Sequence, residues 1–119
     1  MAAKIMVIED DQDILDIITY VLTEQGYEVI AYTQSPALAE IERLQPGLIL
    51  LDEWLGKLKG SNFCRQLKAN SSTCHIPILM LSALNSIESI AFEAGANGYI
   101  KKPFDIEKLY DMISAFVKS

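Results

Sequence analysis

The sequence is poor in the residues that build disulfide frameworks, histidine metal sites and membrane spans. Its 119 residues include two cysteines, Cys64 and Cys74, and one histidine, His75. One cysteine pair predicts free thiols in a reducing compartment, and a lone histidine is too little for a zinc site. Its apolar runs are far shorter than the roughly 20 residues that cross a bilayer, so no membrane insertion is predicted.

Basic residues are also scarce. The chain has 10 lysines and arginines against 16 acidic residues, and its net charge is −6. This balance argues against direct nucleic-acid binding, which needs a basic surface. No basic segment followed by an apolar stretch marks a signal peptide at the N-terminus, so we expect a cytoplasmic protein. The length predicts a single domain over residues 1–119.

Five short apolar segments recur along the chain, and three of them lack polar alternation, which is typical of strands buried on both faces of a parallel sheet. The segments are 5–8, 27–31, 48–51, 78–81 and 98–100.

Stretches with helical periodicity separate these segments. The first predicted helix buries Ile14, Ile17, Ile18, Val21 and Leu22. The second begins at Ser35-Pro36 and the third covers about 61–70. The fourth begins at 85 or 86 with a capping box and ends at Gly95. The fifth is capped by Asp105 and buries a stripe of Ile106, Leu109, Ile113 and Phe116.

Five strands alternating with five helices predict an α/β fold, a (βα)5 doubly wound parallel sheet. The order 2-1-3-4-5 is one of two common solutions, and the pattern alone does not choose between them. A dinucleotide-binding half-domain is rejected because no Gly-x-Gly-x-x-Gly follows the first strand.

Polar residues follow four of the strands, and the carboxyl ends of parallel strands are where such sheets bind ligands. Clustered carboxylates need a cation, and oxygen ligands favour Mg²⁺ over Zn²⁺. A magnesium beside a hydroxyl and an ammonium suits phosphoryl transfer. The residues concerned are Glu9, Asp10 and Asp11 after the first strand, Asp52 and Glu53 after the third, Ser82 after the fourth, and Lys101 and Lys102 after the fifth.

At these positions the sequence resembles the receiver domain of two-component response regulators, across essentially its whole length. The matching stretches are 5–11, 48–52, 78–83 and 95–104, and the last is the most specific. The resemblance implies the flavodoxin-like order 2-1-3-4-5. It also implies phosphorylation by a sensor histidine kinase or a histidine phosphotransfer protein, and an unidentified downstream effector.

The resemblance further assigns roles to single residues. Asp52 would be the phosphoacceptor, and Mg²⁺ would be held by Asp10, Asp11, Asp52 and the backbone carbonyl of Trp54. Ser82 would bind the phosphoryl group.

Three positions in the last matching stretch receive roles in the same way. Lys101 would pair with the phosphoryl group, whereas Lys102 is expected to be solvated, and Pro103 follows a cis peptide in the family. Ser82 and Tyr99 would form the switch that changes the face built from the fourth helix, fifth strand and fifth helix.

Several residues depart from the family pattern. Glu53 stands where a hydrophobic residue is common; it either points away or adds an acid that makes the site more metal-dependent. Gly56 replaces a common proline. Trp54 and Leu84 are bulky where hydrolytic water enters the site, which predicts a long-lived aspartyl phosphate.

Two other functions stay open at this point. The chain could be a docking domain that no longer accepts phosphate, although its constellation of site residues is intact. It could instead be a magnesium-dependent phosphohydrolase, but those enzymes usually need an aspartate two residues after the nucleophile, where this chain has Trp54. We therefore expect a signalling phosphoacceptor rather than an enzyme.

Overall fold

The five apolar segments pair as parallel strands of one sheet in a computed structural model, which describes residues 2–117. The strand order is β2-β1-β3-β4-β5, the predicted 2-1-3-4-5 arrangement. The central strands β1, β3 and β4 are almost wholly buried because helices cover both faces. The strands are β1 Lys4–Ile8, β2 Glu28–Tyr32, β3 Leu48–Asp52, β4 Ile78–Ser82 and β5 Gly98–Lys101.

Five helices divide the core into two layers, one on each side of the sheet. Helices α1 and α5 pack on one face, and α2, α3 and α4 pack on the other. The helices are α1 Gln12–Glu24, α2 Leu38–Leu44, α3 Gly60–Ala69, α4 Ile87–Ala94 and α5 Ile106–Ser114. Within residues 2–117, none of them has the length and apolar character that crossing a membrane requires.

The buried face of α1 differs from the prediction at two positions. Leu15 is buried, whereas Ile17 is 59% exposed. Leu15, Ile18 and Leu22 follow the three-to-four-residue spacing of one helix face, and Ile17 lies outside it. Ile17 instead borders an apolar groove with Phe104.

The predicted stripe of α5 is only half correct. Leu109 and Ile113 are buried, but Ile106 and Phe116, near the two ends of the helix, are 45% and 37% exposed. The side chain of Asp105 accepts a hydrogen bond from the Lys108 amide at 2.8 Å, which confirms the predicted cap.

Helix α2 starts later than predicted, and α4 starts where predicted but without its predicted cap. Helix α2 begins at Leu38, and Ala37 is its N-cap. The predicted first residues, Ser35 and Pro36, lie in the irregular segment before it. The side chain of Ser86 makes no capping hydrogen bond at the start of α4, so the predicted capping box does not form.

A small antiparallel hairpin follows β3 and was not predicted. Trp54–Leu55 pairs with Leu58–Lys59 around a turn in which Gly56 has a φ of 67°. This left-handed conformation suits glycine and is closed to proline, the residue that is common at this position in the family. The Lys59 ammonium lies 5.7 Å from the centre of the Trp54 ring. The hairpin places Trp54 beside the end of β3.

Candidate functional site

Four strands bring polar side chains to the carboxyl edge of the sheet. Asp52 and Ser82 are the last residues of β3 and β4, while Glu9 and Lys102 directly follow β1 and β5. The Lys102 amide donates to the Ser82 carbonyl at 2.8 Å, which extends the sheet by one hydrogen bond and fixes Lys102 beside β4. Glu9, Asp52 and Ser82 are buried, so the edge forms a recessed polar site.

Three carboxylates converge within this site. Glu9, Asp10 and Asp52 each offer an oxygen, and these oxygens lie within 4.8 Å of one another. Asp10 is exposed, whereas Glu9 and Asp52 are buried, so the cluster opens to solvent on one side. Hard oxygen ligands in a partly open cluster suit Mg²⁺, which keeps several of its waters. The donor set therefore fits a magnesium ion.

Lys102 lies between two of these carboxylates. Its Nζ is 2.6 Å from Glu9 Oε1 and 3.2 Å from Asp52 Oδ1. Burial lowers the pKa of Lys102, but the hydrogen bond to Glu9 and the nearby charges of Asp52 and Glu9 outweigh it and raise the pKa above 10.5. The ammonium is therefore a permanent positive charge at the site.

Asp52 is held in an environment that disfavours its charged form. Burial raises its pKa to about 8, and hydrogen bonding and charge repulsion from Glu9 act in the same direction. Lys102 opposes this rise without cancelling it. A cation bound beside Asp52 would favour the carboxylate, so the site is built for ionisation in the presence of a metal.

Comparisons with known proteins agree with this geometry. A family model for the response regulator receiver domain matches residues 5–114. This chain belongs to that family. The receiver is 37% identical over 97% of its length to the "DNA-binding dual master transcriptional regulator RpaA" of Synechocystis, and it covers 49% of that protein. It spans about half the length of the curated relatives it matches.

Solved structures show the same fold. The chemotaxis response regulator CheY4 of Vibrio cholerae has a TM-score of 0.89 at 25% identity, over 98% of this chain and 100% of that one. The receiver domain of the sensor histidine kinase PA1611 from Pseudomonas aeruginosa has a TM-score of 0.87 at 27% identity, over 98% of each chain. In that structure a magnesium ion is coordinated in the active site cleft.

The acids that the structure brings together differ from the predicted metal ligands. Asp11 does not belong to the group formed by Glu9, Asp10 and Asp52. Its carboxylate accepts a hydrogen bond from the Ile14 amide at 3.1 Å and caps α1. Sequence reasoning noted Glu9 after the first strand but left it out of the metal set. Its place directly after a buried strand was the signal that could have identified it.

The contacts of two neighbouring lysines are the reverse of those predicted. Lys101 is exposed on β5, and its Nζ donates to Asn85 Oδ1 in the loop before α4. Lys102, expected to be solvated, contacts Asp52 instead. Successive side chains of an extended segment point to opposite sides, so two adjacent lysines cannot both face the site. The peptide between Lys102 and Pro103 is cis.

The predicted switch residues lie on neighbouring strands. Ser82 is 3% exposed, and its hydroxyl accepts a hydrogen bond from the Leu84 amide at 3.0 Å. Tyr99 is half-buried and packs against the core layer formed with α2, α3 and α4. Ser82 thus belongs to the site, while Tyr99 lies behind it on the α4 side.

The two bulky departures lie at the surface of the molecule. Trp54 is 46% exposed and Leu84 is 36% exposed. Each follows a site residue by two positions, since Trp54 comes after Asp52 and Leu84 after Ser82. In the sequence, they therefore lie just beyond the ends of β3 and β4.

Proposed function

We propose that this receiver accepts a phosphoryl group on Asp52 from a phosphohistidine of a sensor histidine kinase or of a histidine phosphotransfer protein. The observation that carries the proposal is the contact between Lys102 and Asp52 beside the carboxylates of Glu9 and Asp10. An ordinary ion pair would not need two further acids. A site for a divalent cation and a phosphoryl group does.

The ligands proposed for Mg²⁺ are the carboxylates of Glu9, Asp10 and Asp52 together with the backbone carbonyl of Trp54. When bound, the ion would neutralise the phosphoryl oxygens and favour the ionised form of Asp52. The chain's acids hold the ion, and the chain's lysine supplies the remaining positive charge.

In the proposed step, an Asp52 carboxylate oxygen forms a bond to phosphorus while the phosphorus–nitrogen bond of the donor imidazole breaks. The nitrogen keeps the bonding electron pair, and the product is an aspartyl phosphate. Lys102 stabilises the negative charge on the transferred group because its ammonium already lies 3.2 Å from Asp52. The Ser82 hydroxyl, at the end of the neighbouring strand, would bind a phosphoryl oxygen.

An apolar groove beside the site supports a protein as the phosphoryl donor. Ile14, Ile17, Ala83, Pro103 and Phe104 line this groove together with Lys102, the residue that contacts Asp52. A small phosphate ester is too small to cover such a surface, whereas a donor helix that presents its histidine to Asp52 would cover it. The groove has a volume of about 380 Å³.

Phosphorylation is proposed to switch the face formed by α4, β5 and α5. If Ser82 turns to the phosphoryl group, it gives up the hydrogen bond from the Leu84 amide, and the loop before α4 can shift. Tyr99 on β5 packs in the same core layer as α4, the helix that follows this loop. Phe92, on the outer side of α4, is 83% exposed and offers a downstream effector an apolar anchor.

Three further expectations stay predictions: the cytoplasmic location, the single domain over residues 1–119, and the lack of direct nucleic-acid binding. RpaA is described as DNA-binding, but this chain covers only 49% of it. The acidic net charge of −6 is the argument against nucleic-acid binding by the receiver itself.

The proposed function is tested by incubating the protein with acetyl phosphate and Mg²⁺ and measuring its intact mass. One added phosphate is expected, and none in Asp52→Ala. Equal incorporation in both proteins would refute Asp52 as the acceptor. No adduct on the unmodified chain would favour the docking domain, and repeated turnover of phosphate esters would favour the phosphohydrolase.

A further inference from the structure

Glu53, which directly follows the proposed acceptor, is a buried acid without a basic partner among residues 2–117. It is 3% exposed. Its carboxylate accepts two hydrogen bonds from Ser61, one from the amide at 2.7 Å and one from the hydroxyl at 3.1 Å. Burying a carboxylate is costly unless hydrogen bonds satisfy it, so the two bonds from Ser61 offset much of the cost of burying Glu53. It closes the segment from the end of β3 to the first turn of α3.

The backbone reinforces the same closure. The Glu53 amide donates to Leu81 of β4 at 3.0 Å, and the Glu53 carbonyl accepts from the Gly60 amide at 2.6 Å. Gly60 packs so closely that an added Cβ would lie 2.0 Å from the Asp52 carbonyl oxygen. Glu53 therefore joins β3, β4 and α3 immediately beside the acceptor.

The closed segment reaches the carboxylate cluster at a second point. The hairpin between its ends carries Trp54 and Gly56, and the Gly56 amide lies 3.4 Å from Asp10 Oδ2. The segment thus contacts Asp10 at its turn and continues from Asp52 at its start. Its position decides where the Trp54 carbonyl stands relative to both carboxylates.

We infer that Glu53 is a positioning residue for the metal site: by binding Ser61 it holds the hairpin closed and fixes the Trp54 carbonyl for the cation. This inference rests on the proposed function, because it takes that carbonyl as a metal ligand. Glu53 itself points away from the carboxylate cluster and touches no reacting atom. Residues that orient a ligand in this way typically change metal affinity by one to two orders of magnitude.

The test compares Mg²⁺ binding in Glu53→Leu, Glu53→Gln and Thr73→Val. Leucine keeps the buried volume but accepts no hydrogen bond, whereas glutamine keeps an oxygen for the Ser61 amide. Thr73 is a matched control at the other end of α3, where its buried hydroxyl donates to the Leu67 carbonyl at 2.7 Å. Affinity is read from the fluorescence of Trp54, the only tryptophan, and checked by calorimetry.

We expect Glu53→Leu to weaken Mg²⁺ binding about tenfold, and Glu53→Gln to stay within about twofold of the unmodified protein. Thr73→Val should lower the melting temperature without changing Mg²⁺ affinity. At saturating Mg²⁺, Glu53→Leu should regain most of its phosphorylation rate with acetyl phosphate, since only positioning of the ion has been impaired.

Equal affinity in Glu53→Leu and Thr73→Val, with normal binding by the unmodified protein, would overturn this inference alone. Absence of Mg²⁺ binding by the unmodified protein would overturn the proposed function with it. If Glu53→Leu does not fold, Ser61→Ala replaces it, because it removes only the hydroxyl bond. A loss of about threefold is then expected, and unchanged affinity would refute the inference.

Discussion

Replacing Asp52 with asparagine should stabilise the metal-free protein and remove much of its pH dependence. Asp52 has a pKa of about 8 in the fold, against an ordinary value of 3.8, because it is buried and faces Glu9. Asparagine keeps the size and the hydrogen-bonding capacity of the side chain but cannot ionise. The variant therefore isolates the free energy of holding this carboxylate among its neighbours.

The sign of the effect follows from proton binding. Between about pH 4 and pH 8 the unfolded chain has lost the Asp52 proton, while the folded protein retains it, so stability falls as pH rises. One proton of difference corresponds to about 1.4 kcal/mol per pH unit. From pH 5 to pH 7 the unmodified protein should thus lose about 2–3 kcal/mol relative to Asp52→Asn, the upper limit for one fully retained proton.

Urea unfolding in the presence of a chelator at pH 5, 6 and 7 measures this difference. Glu24→Gln, which removes an exposed carboxylate of α1, controls for the loss of one negative charge. Added Mg²⁺ should restore the stability of the unmodified protein at pH 7, since it binds only the folded cluster. Parallel pH profiles of the unmodified protein and Asp52→Asn would refute the reasoning.

Three further predictions separate residues that the sequence alone confuses. Mg²⁺ should raise the melting temperature of Asp11→Asn as much as that of the unmodified protein, and should raise that of Asp10→Asn much less. Differential scanning fluorimetry measures these shifts, and the reverse order would restore Asp11 as a ligand. Lys102→Ala should lower the rate of phosphorylation by acetyl phosphate at least tenfold, whereas Lys101→Ala should change it little; intact mass against time tests the pair, and equal rates would contradict the assignment. Trp54→Asn should shorten the lifetime of the aspartyl phosphate severalfold because it admits hydrolytic water; an unchanged decay of the phosphorylated mass would show that the ring does not cover the site.

The fold was predictable from the sequence because its signals are redundant. Apolar segments such as 48–51 and 78–81 leave no polar face, and their short length between turn signals favours strands covered on both sides. The hairpin at 54–59 was missed because each of its strands has only two residues, too few for any periodicity. The contacts that hold it reach residues distant in the sequence, such as Leu81 and Asp10, which a local pattern does not contain.

The site was predictable to within two residues, and its two differences from the prediction have separate physical causes. The sequence places acids after β1 and lysines after β5, but the direction of each side chain depends on where the strand ends. Asp11 was chosen over Glu9, but its carboxylate caps α1 instead of joining the cluster, because the chain turns into a helix at that point. Lys101 was chosen over Lys102, which contacts Asp52. A one-residue shift along an extended chain moves a side chain to the opposite side.

The charge balance of the site explains why pH and metal should act on this protein together. When ionised, Glu9, Asp10 and Asp52 outnumber the single ammonium of Lys102 by two negative charges. A proton on Asp52 compensates one of these charges, and this is the state that the raised pKa favours without metal. A divalent cation would compensate both and favour loss of the proton, which would leave Asp52 as the carboxylate that the proposed phosphoryl transfer requires. On the proposed function, the same excess of negative charge that destabilises the metal-free site near neutral pH would favour a divalent over a monovalent ion and would couple its binding to ionisation of Asp52.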